Sequence, residues 1–425
     1  MLSTILSAFT VADIRKKLLF TAAILALYRL GAYIPVPGVS AEGVEALRRQ
    51  QQFSDGGVLQ FLNVFSGGGL SRIALFALGI MPYITASIIL QLLTVVVPSL
   101  EKLQKEGEVG QQRITQYTRY LTVGLAFGQA IGYVFLFKSF TDDAGAPLIQ
   151  PFNAGTVFLI VLSLTAGTIL LMWMGELITQ RGIGNGISLM IFASIVAGLP
   201  NGISQWWNSD DQVFQVMMPF LALAVIAAVV FIQEGQRRIP IQYAKRVIGR
   251  RMTSGGQTYL PLRVNMAGVI PVIFAASIMA FPPTIGQLIN QPWATDFSNF
   301  FSPSDWPYIV GESFFIIVFT YFYTAVTFNP VDQADNLKKY GGFIPGVRPG
   351  RPTAEFLDRI LARLTFPGAL YLAAVAALPT ILINQTSATF YFGGTSLLIV
   401  VGVALDTMKQ LEAQLMMRNY EGFLK

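Results

Sequence analysis

Arginine and lysine residues without acidic neighbours are the clearest candidates for binding chemistry in this 425-residue sequence. Residues 237–263 contain seven of them and no acidic residue, and residues 330–365 add Arg348 and Arg351 among glycines and prolines. Such a surface attracts RNA phosphates or acidic protein surfaces, and arginine adds the geometry of a forked donor. The alternative is that these stretches are basic for membrane topology alone.

Catalytic and metal-binding chemistry has few candidates. The chain has no cysteine and no histidine, which excludes disulfides, thiolate sites, imidazole bases and the commoner zinc and haem ligand sets. The glycines of RGIGNGIS at 181–188 join two apolar segments, so we interpret them as a tight interhelical turn and not as a nucleotide-binding loop. We find no nucleophile elbow and no paired carboxylates within a span. The sequence therefore predicts no enzyme, no cofactor and no metal site.

The elements that must position these residues are membrane spans. Hydrophobic residues make up 53% of the chain and charged residues 12%, against about 25% charged in soluble proteins, and the mean hydropathy is +0.56. Apolar runs near the ~20 residues needed to cross a bilayer recur throughout. Because no positive region precedes the first apolar stretch, we expect no removable signal peptide. Hydropathy and turn residues predict ten spans, at 18–37, 73–97, 120–138, 155–176, 187–205, 213–233, 265–287, 309–329, 366–385 and 390–407.

The distribution of basic residues predicts the orientation. Of the 29 lysines and arginines, 24 lie on the side where the chain starts, and ten spans return the chain to that side. The five others are Arg29, Arg48, Arg49, Arg72 and Lys138. By the positive-inside rule, both termini are expected in the cytoplasm.

Residues 57–72, GGVLQFLNVFSGGGLS, are too short to cross the bilayer. They are apolar for about nine residues and then break at Ser66-Gly67-Gly68-Gly69. We interpret the segment as a re-entrant half-helix, which requires a covering of protein or a water-filled cavity at the centre of the bundle. An amphipathic turn lying on the membrane surface is the alternative.

Residues 235–264 are expected to leave the membrane. The runs IQYAKRV and QTYLPLRV have strand-like composition and flank GRRMTSGG, a pattern typical of a β-hairpin. We expect a basic hairpin that projects into the cytosol.

Ionisable residues are expected to be absent from the middle of the spans. Glu176, Glu234, Glu312 and Asp406 fall at predicted span ends, where hydration makes a charge inexpensive. Arg29 is the exception, and it either extends to the interface or lines a cavity. The absence of midplane charges argues against an ion-driven transporter.

Five strings together resemble the bacterial SecY family of protein-conducting channels. They are FSGGGLSRIALFALGIMPYITASIILQLL at 65–93, RGIGNGIS, LPLRVNMAGVIPVIFA at 260–275, FIPGVRPGRPT at 343–353 and YFGGTSLLIVVGVALDT at 391–407. The resemblance covers the spans in order. It implies an all-α integral membrane protein of ten transmembrane helices in two inverted five-helix halves, 1–205 and 206–425, the first with a plug at 57–69 and the second with cytoplasmic loops 234–264 and 330–365.

The resemblance also implies roles for residues that composition alone does not single out. Six isoleucines match a ring that narrows the pore, although an isoleucine in a span ordinarily contacts lipid or packs in a core: Ile80, Ile84, Ile187, Ile191, Ile273 and Ile399. Plug and hinge positions match Leu59, Phe61, Leu62, Val64, Phe65, Gly67, Gly68 and Gly69.

Two further sets follow from the same resemblance. Thr85, Gln91 and Phe281 match a lateral gate between spans 2 and 3 on one side and 7 and 8 on the other, although a single polar residue in a span is often a helix–helix hydrogen bond. Arg250, Arg251 and Arg348 match positions that engage the SecA motor or the ribosome.

The expected activity is passage of unfolded polypeptide across the cytoplasmic membrane, or release of apolar segments into lipid, with energy from a bound partner. SecE, SecG-like small subunits, SecA, the ribosome, signal peptides, precursor proteins and membrane lipids are the partners that the resemblance implies. Two other functions stay open at this point. One is a ten-span secondary transporter with inverted repeats, and the other is a membrane scaffold for RNA or ribosomes without a pore.

Overall fold

We describe the fold from a computed structural model of the chain. It describes residues 9–40, 44–45, 58–138, 147–149, 151–208, 212–243, 246–248, 251–253, 257–280, 282, 293, 296–297, 300–301, 305–386 and 394–423.

The first half of the chain is a series of helices of very different lengths. They are α1 (Ala12–Gly31), α2 (Val58–Phe65), α3 (Met81–Val96), α4 (Pro98–Lys105), α5 (Glu108–Lys138), α6 (Ala154–Arg181), α7 (Gly186–Val196) and α8 (Leu199–Trp207). Helix α3 packs against α5, α5 against α6, and α6 against α7, so consecutive long helices are also spatial neighbours.

The second half combines helices with five short strands. The helices are α9 (Gln212–Glu234), α10 (Ile270–Met279), α11 (Trp306–Thr327), α12 (Pro330–Lys339), α13 (Arg351–Thr386) and α14 (Gly394–Phe423), and the strands are β1 (Gln236–Tyr243), β2 (Arg246–Ile248), β3 (Arg251–Thr253), β4 (Gln257–Arg263) and β5 (Gly342–Phe343). Helix α11 packs against both α10 and α13. The two halves meet where α3 contacts α10 and where α7 contacts α14.

Five helical segments in the described part of the chain are long and apolar enough to cross a membrane: Glu108–Lys138, Ala154–Arg181, Gln215–Glu234, Trp306–Lys339 and Arg351–Leu378. A sixth is present if α3 and α4, which meet at an angle of 99°, form one broken span. Helices α7 and α10 are apolar but shorter. The chain is thus a helical membrane protein, and ten spans stay a prediction.

The second predicted span, 73–97, begins later than expected. Residues 66–80 form a chain of turns, and α3 begins only at Met81. Gly79 has a φ of 58°, a left-handed conformation that interrupts a helix and that glycine adopts without steric cost. Pro82 lies in the first turn of α3, where its missing N–H leaves no helical bond unmade.

Hydrogen bonds to the loop after α1 replace helical bonds in this turn segment. The Leu75 N–H donates to the Ile34 carbonyl (2.8 Å), and the Val36 N–H donates to the Ile73 carbonyl (3.0 Å). Ile73 is fully buried. The segment is therefore apolar because protein covers it, and not because it is a helix facing lipid.

The fifth predicted span, 187–205, is interrupted, and the described part of the seventh, 265–287, contains one short helix. Helix α7 ends at Val196, and the chain continues after Gly198 as α8. Helix α10 has only 10 residues. Because α7 ends within the predicted span, its last carbonyl groups need partners other than lipid.

The predicted β-hairpin is confirmed. Strands β1 and β4 pair antiparallel, with Gln236 opposite Arg263 and Gln242 opposite Gln257, and β2 pairs with β3. The sequence pattern did not indicate the third strand of the sheet, β5, which pairs with β1 and gives the order β4-β1-β5.

Most buried side chains of the bundle form one hydrophobic cluster that draws on helices of both halves. A separate cluster lies between the sheet and the first part of α13, and it contains Ile239, Leu262, Phe328, Ile344, Leu357, Ile360 and Leu361. We call the three-stranded sheet, the loop 344–350 and the first part of α13 the basic platform.

Candidate functional site

The six isoleucines singled out in the sequence come from helices of both halves. Five of them belong to the main hydrophobic cluster, and the partly buried Ile187 packs against it. The helices that contain these residues contact one another in three pairs: α3 with α10, α10 with α14, and α14 with α7. We call these six residues the isoleucine cluster: Ile80, Ile84, Ile187, Ile191, Ile273 and Ile399.

Helix starts position most of this cluster. Ile80 is the N-cap residue just before α3, Ile187 is the second residue of α7, and Ile273 lies in the first turns of α10. The start of α7 is fixed by Asn185, whose side-chain oxygen accepts hydrogen bonds from the N–H groups of Ile187 (3.1 Å) and Ser188 (3.4 Å). Such an N-cap sets where the helix begins, and therefore which way its first side chains point.

Gly186 sets the depth at which α7 packs. A Cβ atom on this residue would lie 1.9 Å from the Gly175 carbonyl oxygen of α6. Only glycine permits this approach of the two backbones. The RGIGNGIS string therefore forms the tight interhelical turn that we predicted, and its glycines serve packing.

Most of the isoleucine cluster is buried in this structure. Ile399 is fully buried, and Ile80, Ile84, Ile191 and Ile273 are each at most 5% exposed. Five of the six side chains belong to the hydrophobic interior of the bundle, and Ile273 also borders a cavity. No polar group is needed to hold such a contact, because apolar side chains have no hydrogen-bonding capacity to satisfy.

A polar cavity of about 360 Å³ borders the cluster on one side. Ile273 lines it together with Asn185, Arg263 and Asp406. Seven of the eleven residues that line this cavity are polar or charged, which suits water, whereas the isoleucine side chains offer water no hydrogen bond.

Helix α2 lies beside the cluster and packs against α7. Phe65 is 1% exposed, Leu62 is buried, and Val64 packs on the main cluster. Leu59 and Phe61 are part of α2, and their side chains lie outside the described residues. The eight-residue helix occupies the segment in which we predicted a half-helix.

The end of α2 is fastened by its own polar side chains. The Asn63 side-chain oxygen accepts a hydrogen bond from the Ser71 N–H (2.9 Å), and the Ser66 hydroxyl accepts one from the Leu70 N–H (3.0 Å). The Ser66 hydroxyl also donates to the Asn63 carbonyl (3.0 Å). The sequence analysis did not predict these hydrogen bonds. The signal for them was the presence of two small polar residues, Asn63 and Ser66, near the end of an otherwise apolar half-helix.

Two of the three predicted lateral-gate residues can be placed. Thr85 is buried in α3, and its hydroxyl donates to the Met81 carbonyl one turn earlier (3.0 Å). Gln91 lies in the same helix, and its side-chain oxygen is buried without a hydrogen-bond partner among the described residues. Phe281 lies outside the described residues. Helix α3 meets α10 of the other half, so Thr85 and Gln91 lie on a helix that forms the contact between halves.

Three of the four acidic residues near span ends fit the expectation of inexpensive charge. Glu176 forms a two-pronged ion pair with Arg119 (2.9 and 2.6 Å), and Glu234 pairs with Lys409 (2.8 Å). Asp406 lines the polar cavity. Glu312 differs, because it is only 5% exposed and one of its side-chain oxygens has no partner among the described residues. Hydration of Glu312 was therefore the wrong expectation, since α11 turns this residue into the bundle.

Of the three arginines predicted to bind partners, only Arg348 has a described side chain, and it lies on the basic platform. Arg348 is exposed, its carbonyl accepts a hydrogen bond from the Thr353 hydroxyl (2.8 Å), and the preceding Val347 packs on the platform's core. Arg251 is the first residue of β3, with its side chain outside the described residues, and Arg250 lies outside them entirely.

Comparison with known proteins decides the family. A family model described as SecY matches residues 74–408. The chain belongs to the SecY family. Curated SecY relatives match over 100% of both chains, each described as protein translocase subunit SecY: the proteins of Streptomyces coelicolor at 50% identity, Corynebacterium glutamicum at 49% and Mycobacterium tuberculosis at 48%.

Solved structures agree with this chain in fold. A structure described as a protein conducting channel matches with a TM-score of 0.63 and 19% identity, covering 93% of this chain and 91% of the other. Sec61 in the canine ribosome-channel complex matches with a TM-score of 0.60 and 18% identity over the same shares. The SecY resemblance seen in the sequence is thereby confirmed for the family and for the helical fold.

Proposed function

We propose that this SecY-family chain forms the channel through which unfolded polypeptides cross the cytoplasmic membrane, and from which apolar segments pass sideways into lipid. The observation that carries the proposal is the isoleucine cluster, whose six members are all apolar and come from helices of both halves. A cluster of this kind seals against ions when closed and offers no fixed polar partner to a passing chain.

The architecture that we propose has ten spans in two inverted halves, 1–205 and 206–425. Helix α2 is the plug, the glycines after it are its hinge, and Leu59, Phe61, Leu62, Val64 and Phe65 are its body. The contact between α3 and α10, with Thr85, Gln91 and Phe281 nearby, is the lateral gate, because the halves must separate there for a chain to leave into lipid. This division is supported by the meeting of the halves along that contact.

The partners that we propose bind on the basic side. Both termini, loop 234–264 and loop 330–365 face the cytoplasm, where Arg250, Arg251 and Arg348 contact SecA or the ribosome. SecE and a SecG-like subunit complete the membrane complex. The channel performs no catalysis in this proposal, and the bound motor or ribosome supplies the energy.

The test is reconstitution of the purified complex with SecA and ATP in vesicles. We expect a precursor with an intact signal peptide to become protected from added protease, and a precursor with a defective signal to stay exposed. Uptake of a small solute driven by an ion gradient, without precursor transport, would support the transporter alternative. A scaffold without a pore would show no ion conductance after removal of residues 57–69, whereas the channel should conduct.

A further inference from the structure

Two arginines that lie far apart in the sequence meet at the turn after α2. The Arg29 Nη1 donates a hydrogen bond to the Gly67 carbonyl (2.5 Å), and the Arg72 Nη1 donates one to the Gly68 carbonyl (3.3 Å). Both belong to the five basic residues on the predicted outer side. Their convergence on consecutive carbonyls is a specific contact that topology alone does not require.

Tyr33 connects the two cations. The guanidinium carbon of Arg72 lies 4.1 Å from the centre of the Tyr33 ring, and that of Arg29 lies 5.1 Å from it. The Arg29 Nη2 also donates to the Tyr33 hydroxyl (3.3 Å). Both distances are within the ~6 Å over which an aromatic ring attracts a cation. The ring therefore offsets part of the repulsion between two like charges and holds both guanidinium groups at the turn.

The turn itself presents negative partial charge and has little space around it. Carbonyls at the end of a helix lack helical partners, so cations are stabilised there. Gly67 and Gly68 have φ values of 64° and 81°, which favour glycine. A Cβ atom on Gly67 would lie 2.7 Å from the Tyr28 hydroxyl oxygen, and that hydroxyl is hydrogen-bonded to Ser194 of α7. Helices α1 and α7 thus enclose the turn that the arginines bind.

We propose that Arg29, Tyr33 and Arg72 form a clasp that holds α2 against the isoleucine cluster in the resting channel. Displacement of α2 together with its turn requires the Gly67 carbonyl to leave Arg29 of α1, and rearrangement of the turn itself requires the Gly68 carbonyl to leave Arg72. The clasp therefore sets the fraction of channels in which α2 has moved. The three residues are positioning residues, since none of them belongs to the isoleucine cluster. The inference rests on the proposed function, because it assigns the contacts that keep the proposed plug in place.

The absence of native cysteine makes α2 accessible to a direct test. Leu62, buried on α2, is changed to cysteine, and its alkylation rate by a soluble maleimide is measured in the purified complex. In this background Arg29→Gln and Arg72→Gln should each raise the alkylation rate about tenfold, as expected for loss of a hydrogen bond from a charged donor. The double variant should raise it by less than the product of the two, because both arginines act on one turn.

The matched control is Lys138→Gln. Lys138 is another outer-side cation, and it also lies over an aromatic ring, 4.5 Å from the centre of Phe152. Its replacement removes the same charge without touching the turn and should leave the alkylation rate unchanged. If Arg29→Gln and Arg72→Gln behave like Lys138→Gln, the arginines serve topology alone and the clasp is wrong.

Tyr33 separates a specific clasp from a general loss of structure. Tyr33 is 52% exposed, so its replacement leaves no buried cavity. Tyr33→Phe keeps the ring and should change the alkylation rate little, whereas Tyr33→Leu should raise it about threefold. Equal alkylation rates for Tyr33→Phe and Tyr33→Leu would overturn the role of the ring. Arg29→Lys keeps the positive charge, so it should alkylate more slowly than Arg29→Gln.

Failure of the clasp and failure of the channel proposal give different results. Resting ion conductance in planar bilayers is measured for the same variants and for a chain lacking residues 57–69. If the deletion conducts and the arginine variants match the wild type in both assays, the clasp alone is wrong. If the arginine variants expose Leu62→Cys but neither they nor the deletion conduct, the clasp holds α2 and the channel proposal is wrong.

Discussion

The isoleucine cluster and the basic platform use opposite chemistry in two separate parts of the molecule. The cluster combines apolar side chains from helices of both halves, and five of its six members expose almost no surface. The platform combines strands from one loop with a strand from another, buries a small core of its own, and leaves Arg348 exposed. A contact without polar partners can open without losing hydrogen bonds, whereas an exposed cationic surface binds other molecules without moving.

The largest expected effect follows from making the cluster polar. Changing Ile84, Ile191 and Ile273 together to Asn places amide groups where the structure has apolar contact, so water enters the constriction. We expect resting ion conductance in planar bilayers to rise on the order of tenfold or more, and precursors with defective signals to pass more readily.

The control for this prediction places the same change on the outer surface of the bundle. Ile131, Ile203 and Ile226 are 37%, 57% and 39% exposed. Their change to Asn should leave the conductance at its resting value. Equal conductance in the two triple variants would remove the basis for assigning the cluster to the pore. Since the cluster is packed, its variant should also unfold at a lower temperature than the wild type.

The isoleucine cluster also shows which features of the site can be predicted from the sequence and which cannot. Residue type cannot distinguish Ile191, which is buried, from Ile203, which is exposed, and the assignment of the six isoleucines came from resemblance to a family. The β-hairpin was predictable because strand-like runs and a glycine turn are local signals. Strand β5 was not, because its two residues gain their conformation from pairing with β1, about a hundred residues earlier.

Long-range contacts explain the other differences. Residues 73–80 are as apolar as a span, and only the φ of Gly79 and the bonds to the loop after α1 make them turns. Arg29 fitted both an interfacial residue and a cavity-lining one, and its bond to Gly67 depends on a segment 38 residues away. Such contacts leave no periodic trace in the sequence.

The second prediction reverses charge on the platform. Arg348→Glu should weaken engagement of SecA or the ribosome about tenfold at low salt and less at high salt, because the lost attraction is electrostatic and exposed. Resting conductance should not change, since Arg348 belongs to the basic platform, whose hydrophobic core is separate from the cluster that contains the isoleucines. Binding titrations at two ionic strengths measure the effect.

Lys105→Glu is the matched control for this charge reversal. Lys105 is exposed, lies on the same predicted side, and pairs with Glu101 outside the platform (2.7 Å). If Arg348→Glu and Lys105→Glu weaken binding equally, the effect is one of overall charge and the platform has no special role.

A smaller effect should follow from separating the two loops that the sheet joins. A Cβ atom on Gly342 would lie 3.0 Å from the Tyr243 ring and 3.2 Å from Ile241, so Gly342→Val disturbs the pairing of β5 with β1. We expect binding of SecA or the ribosome to weaken about threefold, the size of one lost strand contact.

The control for Gly342→Val is Tyr340→Ala, since Tyr340 is 75% exposed just before the strand. Binding should be unaffected in this variant. If Gly342→Val binds as the wild type does, the two loops engage partners independently, and the shared sheet is a feature of folding alone.

The last prediction alters no activity and tests which side of the membrane each region faces. Because 24 of 29 basic residues lie on one side of the predicted spans, the platform and the termini should be cytoplasmic. Short protease sites inserted at 255 and 345 should resist protease added to intact cells, while sites at 50, 145 and 300 should be cut. Lysed cells provide the control, since every site should then be cleaved. Cleavage at 255 from outside would place the basic platform on the outer face, where SecA and the ribosome cannot reach it. The proposal that the isoleucine cluster seals the channel while the platform binds cytoplasmic partners would then be wrong for the platform.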